Sequence, residues 1–214
     1  MGPRDDWFRR TSWTESEQSE FEKRLARARP HGRTQYLRIQ AWTLVETGDT
    51  ELVKAGLVLA ERFLVQYPED LLAAWVHVTC AEAHEKLGEV SMALASYRKA
   101  IEAERKLPNV VTNGAIGFSW LVTRRALVSL YSEAESLLLE FPTNNSIIPV
   151  HRYRYHAIRA VIAAAKGYAS QAREDATLAL ETASATHSGI SRHPTVGLVD
   201  PSDELIPRLR AIAL

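Results

Sequence analysis

The sequence predicts an all-α fold, a solenoid of about four stacked helix pairs with a capping helix at each end. Three observations carry that expectation. The helix-breaking residues recur in step: Gly48 and Gly88 lie 40 residues apart, Pro68 and Pro108 also 40, and Pro142 follows 34 later. Small residues keep the same frame, with Ala41, Ala81, Ala115 and Ala160 each 19 residues ahead of Ala60, Ala100, Ala134 and Ala179. Between the breakers, apolar side chains recur at three- and four-residue spacing, as in Ala93, Tyr97, Ala100 and Ile101, without the alternation a strand needs.

The elements follow in order. Residues 1–33 form an N-terminal cap. Thr14 with Glu17 three residues on makes a capping box, so a helix starts there and runs through Phe21 and Leu25 to about Arg29, where Pro30 stops it. Trp7, Phe8 and Trp13 precede it and are expected to pack under the first repeat. Residues 34–187 hold four helix pairs. Where the glycine exists it sits 7 residues after the first alanine and 12 before the second, at Gly48, Gly88 and Gly167, where it can take the left-handed conformation that closes a helix. The proline comes 8 residues after the second alanine in three units and cannot continue the helix. The recurring methyl lets paired helices approach closely. A pair this short cannot bury its apolar face alone, whereas stacked pairs can. Ile147 and Ile148 are expected to tuck between the third and fourth units, beside the Asn144-Asn145-Ser146 loop. Residues 188–214 contain three prolines and then a short amphipathic stretch, which predicts a loop and a final capping helix. No Gly/Ser-rich or Pro-rich linker divides the chain, so residues 1–214 are read as a single domain.

Composition narrows the classes. In 214 residues, 26 Lys+Arg balance 26 Asp+Glu and 46% are hydrophobic, which suits a packed chain and not a disordered one. Cys80 is the single cysteine, so no internal disulfide forms, and the opening MGPRDDWFRR has no apolar stretch of a signal peptide. An intracellular, cytoplasmic protein is expected. No uninterrupted run of about 18 apolar residues is present, so no membrane contact is expected. Zero net charge argues against a general binder of nucleic acid, since neutralising phosphates needs a clustered basic excess.

The stretch AAWVHVTCAEAHEKLGEVSMALASYRKAIEAERKLPN resembles a tetratricopeptide repeat, with Ala81, Gly88, Ala93, Tyr97 and Ala100 at the family's small, glycine, alanine, aromatic and alanine positions. RAVIAAAKGYASQAREDATLAL is similar through Ala160, Gly167, Ala172 and Ala179. The first unit has Val53 and Leu57 at the positions of Ala93 and Tyr97, and the third has Val122 where the glycine belongs. Unit spacings of 40, 34 and 45 depart from the family's 34. DDWFRRTSW and QYLRIQA also resemble an uncharacterised bacterial group of tetratricopeptide proteins. The resemblance covers residues 34–187 and implies a right-handed superhelix whose first helices line a concave groove. It further implies that the second, fifth and ninth positions of each unit face that groove. These are Gln35, Arg38 and Trp42 in the first unit, Trp75, Val78 and Glu82 in the second, Thr112 and Ile116 in the third, and Arg154 and Ala157 in the fourth. Trp42 and Trp75 are the candidate anchors.

Other constellations carry their own chemistry. His77, Cys80 and His84 fall at i, i+3 and i+7 on one side of a helix, and all three types can ligate zinc, although no fourth ligand is suggested. HRYRYH at 151–156 interleaves basic and aromatic side chains. Arg152, Tyr155 and Arg159 would share a helix face suited to an acidic protein segment. His151, His156, His187 and His193 accompany Asp200, Asp203 and Glu204 toward the end, but no nucleophile elbow, phosphate loop or dinucleotide fingerprint is present. The expected function is therefore non-enzymatic and needs no cofactor. A protein or peptide partner would sit in the groove, either a toxin held by an immunity factor or a client of a chaperone or adaptor. The chain itself is expected to be a monomer or a weak homodimer. The alternative is a metal-binding or hydrolytic protein using His77, Cys80 and His84.

Overall fold

Caps and helix breakers set the boundaries of the ten α-helices found among the described residues. The structure is a computed structural model and describes residues 6–107, 109–143 and 145–214. Residues 1–5, Pro108 of the repeat frame and Asn144 lie outside them. The chain divides into two compact units, one ending at Gly114 and one running from Ala115 to Leu214.

The first unit opens with α1 (Glu15–Arg27), α2 (Pro30–Glu46), α3 (Thr50–Gln66), α4 (Ala73–Lys86) and α5 (Val90–Lys106). The capping box is present: Glu17 N–H donates to Thr14 Oγ1 at 3.3 Å and Thr14 N–H donates to Glu17 Oε2 at 2.8 Å. Pro30 corrects the reading of it as a stop. It begins α2, because the first helical position has no intrahelical N–H to lose. Asp49 caps α3 by accepting from Glu51 N–H and Leu52 N–H, both at 3.0 Å.

Gly48 and Gly88, at φ +73° and +77°, close α2 and α4. α2 packs on α3, α4 on α5, and α3 and α2 on α4, so consecutive pairs of this unit stack. Phe21, Leu25, Leu37, Leu44, Leu59, Phe63 and Val76 form one core with Cys80. Burying each such large side chain contributes about 1.5–3 kcal/mol. Trp7, Phe8 and Trp13 pack on this core, Trp7 lying 5.4 Å from Phe21 and 4.9 Å from Tyr36 between ring centroids. Helices α2 and α3 approach closely at Gly56, where an added Cβ would stand 2.7 Å from Ala41 O and 2.8 Å from Val45 Cγ2.

In the second unit α6 (Gly114–Arg124, from Ala115 on), a short 3-10 turn (Val128–Leu130), α7 (Tyr131–Glu140), α8 (Pro149–Ala165), α9 (Ala169–Ala183) and α10 (Ile206–Ala213) follow. Gly167 at φ +81° closes α8. The third pair departs from the frame. α6 runs through Val122, and the left-handed residue is Ala126 at φ +50°, four positions later and the only non-glycine with positive φ among the described residues. The extra turn carries Ser119 into the place of the small residue: its buried Oγ lies 2.9 Å from Ala115 O and 3.3 Å from Ala134 O on α7. α8 packs against α9 through a core of Tyr153, Ile158, Val161, Ile162 and Ala176. The expected final helix is α10, which packs on α9 and α8 with Ile206 and Leu209 buried. Tyr153 OH donates to Asp203 at 2.7 Å, fixing the loop before it. Ile147 corrects the tucked reading, being 72% exposed. Among the described residues no helix is long and apolar enough to cross a membrane.

Candidate functional site: a cleft between the first helices of two pairs

Residues spaced one turn apart on a helix share a face, so α2 presents Arg38 with Trp42 and α4 presents Trp75, Val78 and Glu82. The two faces meet in a cleft of about 320 Å³ that Arg9, Ile39, Thr79 and Asn113 complete. That volume is at the small end of ligand sites, which span roughly 300–1,000 Å³. Val78 and Thr79, buried, form the floor, while Trp42 is 42% exposed at the rim and Trp75 half-buried. A tryptophan left open beside a pocket presents a large apolar face to an occupant.

Arg9 arrives from the segment before α1. Buried Gln40 holds that segment on α2: Arg10 N–H donates to Gln40 Oε1 at 2.9 Å, and Gln40 Nε2 donates to Arg10 O at 2.8 Å. The cleft's electrostatics are set by the two arginines. Arg38 Nε is shut off from solvent with no acceptor. Burial, and then the neighbouring Arg9 charge, push the Arg38 guanidinium below its ordinary range. Arg9 stacks its own guanidinium on Phe8, 5.6 Å from the ring centroid. Glu82 adds one carboxylate to the lining.

Of the residues expected at the groove, Arg38, Trp42, Trp75, Val78 and Glu82 converge here. Gln35 is half-buried outside the cleft lining. Thr112 works as a cap instead, its Oγ1 accepting from Gly114 N–H at 3.0 Å while its own N–H donates to Glu104. Ile116 is 2% exposed and belongs to the core. The four-residue slip of the third pair takes Thr112 out of the frame and puts Asn113 into it, whereas Ile116 holds a frame position either way and is buried all the same. Arg9, at the far end of an unpatterned segment, had no local signal except its nearness to the aromatic cluster.

The 152–159 patch is engaged internally in the second unit. Arg152 Nη1 donates to Ser146 O at 2.7 Å. Arg159 pairs with buried Asp175 at 3.0 Å, which His156 Nδ1 also meets at 2.8 Å. Tyr155 is buried beneath Arg159, 5.6 Å from its guanidinium. Arg154 lies 5.2 Å over Trp120 with its Nε buried and without an acceptor. Ala157 is fully buried.

His77, Cys80 and His84 do not converge either. Cys80 sits in the core, where burial pushes its thiol up to about 12, far from the thiolate a metal needs. His84 Nδ1 meets Glu89 at 2.6 Å. His77 lines a different cleft of about 310 Å³ beside Lys99 and Glu102. Burial first, then the Lys99 charge, lower its pKa. Among the described residues no group of three or more His, Cys, Asp or Glu is placed to hold a metal ion. The late acids serve loops: Asp200 accepts from Ser202 N–H and Oγ–H, Asp203 from Tyr153 and Leu205 N–H, and Glu204 pairs with Arg124. Compared with protein families, curated proteins and solved structures, the chain matches none.

Proposed function

We propose that this protein is a non-enzymatic binding module of tetratricopeptide-like helix pairs, and that it holds a protein partner in the cleft between α2 and α4. The observation that carries the reading is the exposed Trp42 beside half-buried Arg38, whose Nε–H is buried without an acceptor. Both residue types dominate binding hot spots. The biological role follows the family likeness: a cytoplasmic adaptor, whether an immunity factor that occludes a toxin or a chaperone for a secreted client.

Affinity separates those two roles, because occlusion of one toxin calls for nanomolar or tighter binding to a single partner, and a chaperone tolerates weaker binding to several. The test is affinity capture from native lysate with wild type and with Trp42→Ala and Trp75→Ala, followed by titration of the purified captured protein. A partner that binds wild type and loses 100-fold or more in affinity to Trp42→Ala, at unchanged thermal stability, supports the cleft. Equal binding by all three proteins overturns it.

A further inference from the structure

Arg38 and Arg9 bring two positive charges into one small cleft, and the lining returns one carboxylate, Glu82. Among described contacts Arg38 makes no hydrogen bond or ion pair, and its Nε–H is buried without an acceptor. A buried donor of this kind is costly unless an acceptor arrives. The occupant has to bring a negative charge, because only that relieves the repulsion between the two arginines. A single carboxylate suits two arginines in so small a cleft, whereas a phosphodiester chain calls for a clustered basic excess that a protein of zero net charge does not offer. The occupant also has to come with apolar surface, since Trp42, Trp75, Ile39 and Val78 form most of the remaining wall.

Resting on the binding-module reading, we infer that the cleft recognises an internal acidic side chain of the partner, an aspartate or glutamate next to an apolar residue, with the carboxylate on Arg38 and Arg9 and the apolar neighbour on Trp42. Fork-like guanidinium–carboxylate pairing supplies direction as well as energy. The rim favours a side chain over a chain end. Trp42 stands open while Val78 and Thr79 are buried at the floor, so a carboxylate on a methylene stem reaches the guanidinium with its backbone still outside. A terminal carboxylate would have to take its own peptide N–H into an apolar wall, where it costs free energy without an acceptor.

The experiment uses the full chain against a bead library of random heptapeptides, N-acetylated and C-amidated, beside a second library with free C-terminal carboxylates and no Asp or Glu. Wild type, Arg38→Gln and Trp42→Ala are compared at low and at physiological salt. Wild type should enrich blocked peptides with one acidic residue adjacent to a Leu, Ile, Phe or Trp. Replacing that acid by its amide, or Arg38 by Gln, should weaken binding by about tenfold to hundredfold, the effect of losing one charge-assisted pair. Bound peptide should also slow hydrogen exchange at Arg38 Nε–H, seen by nitrogen-15 NMR. Enrichment only in the free-terminus library overturns the side-chain assignment. Peptides without acids that still need Trp42 overturn the charge inference and leave the binding module standing. No peptide whose binding depends on Trp42 or Arg38 overturns both.

Discussion

A residue kept for an absent ligand should weigh on the free protein, which makes Arg38 a sharp test. Replacing Arg38 by Met keeps the aliphatic stem that lines the cleft and removes the charge. An unsatisfied buried donor costs roughly 1–3 kcal/mol. Arg38 is half-buried, so solvent screening brings the combined desolvation and Arg9 repulsion to about 1 kcal/mol. Arg38→Met is therefore expected to be more stable than wild type by about 1 kcal/mol, a rise of about 2–4 °C in Tm for a chain of this length. Urea and thermal unfolding followed by circular dichroism measure it. The repulsive share is screened within about 8 Å at physiological salt, so the gain should shrink as salt rises. Arg9→Gln should recover part of the same gain, and the double variant should fall short of the sum. Loss of stability in Arg38→Met, or a gain that ignores salt and Arg9, refutes the idea that this guanidinium is waiting for a partner.

Three further outcomes follow from the backbone and the core. Ala126→Gly should stabilise the chain by about 1 kcal/mol, because φ +50° strains a side chain and suits glycine; no gain in a urea titration would show the turn is relaxed as it stands. Gly56→Ala should cost about 1–3 kcal/mol and loosen α3 from α2, read as early amide exchange at Leu44 and Ala60, since its methyl would press on Ala41 O. Burial holds the Cys80 thiol up to about 12 against an ordinary 9, so its contribution to stability is complete below pH 9 and lost as pH rises toward 12, when the unfolded thiol ionises first. Cys80→Val should flatten that part of the stability–pH curve, and native Cys80 should resist thiol reagents at pH 8.

How far the fold was legible depended on where local chemistry decided it. Thr14 and Glu17 marked a helix start that no other contact needs to enforce, and Gly48, Gly88 and Gly167 marked turns where φ is positive. The third pair hid its register because Ala115 and Ala134 kept the 19-residue spacing while the left-handed turn moved to Ala126, a residue type with no preference for it. Thr112 was misplaced for that reason. Pro30 was ambiguous in principle, since the same missing N–H ends one helix and begins the next. Half the cleft was readable from the repeat frame. Arg9 was not, because it depends on a contact between residues 10 and 40 that no periodicity announces. The internal partners of the basic-aromatic run at 151–156 were hidden because Ser146 and Asp175, which engage its charges, are distant in sequence or unremarkable in type.

Gln40 bonds the peptide group of Arg10 and touches neither side chain next to it in that way. The tether is thus blind to the side chain at position 9. Arg38 and Trp42 are committed to a packed helix, where a change of size disturbs neighbours, but residue 9 is presented on a strip of chain held by its neighbours: the Arg10 backbone on Gln40, the Arg10 side chain on Glu20, and Trp7 and Phe8 on the core. A substitution there alters the charge facing the cleft and leaves the anchoring geometry intact. Position 9 is the place where a designed change retunes the charge at the cleft while keeping one architecture.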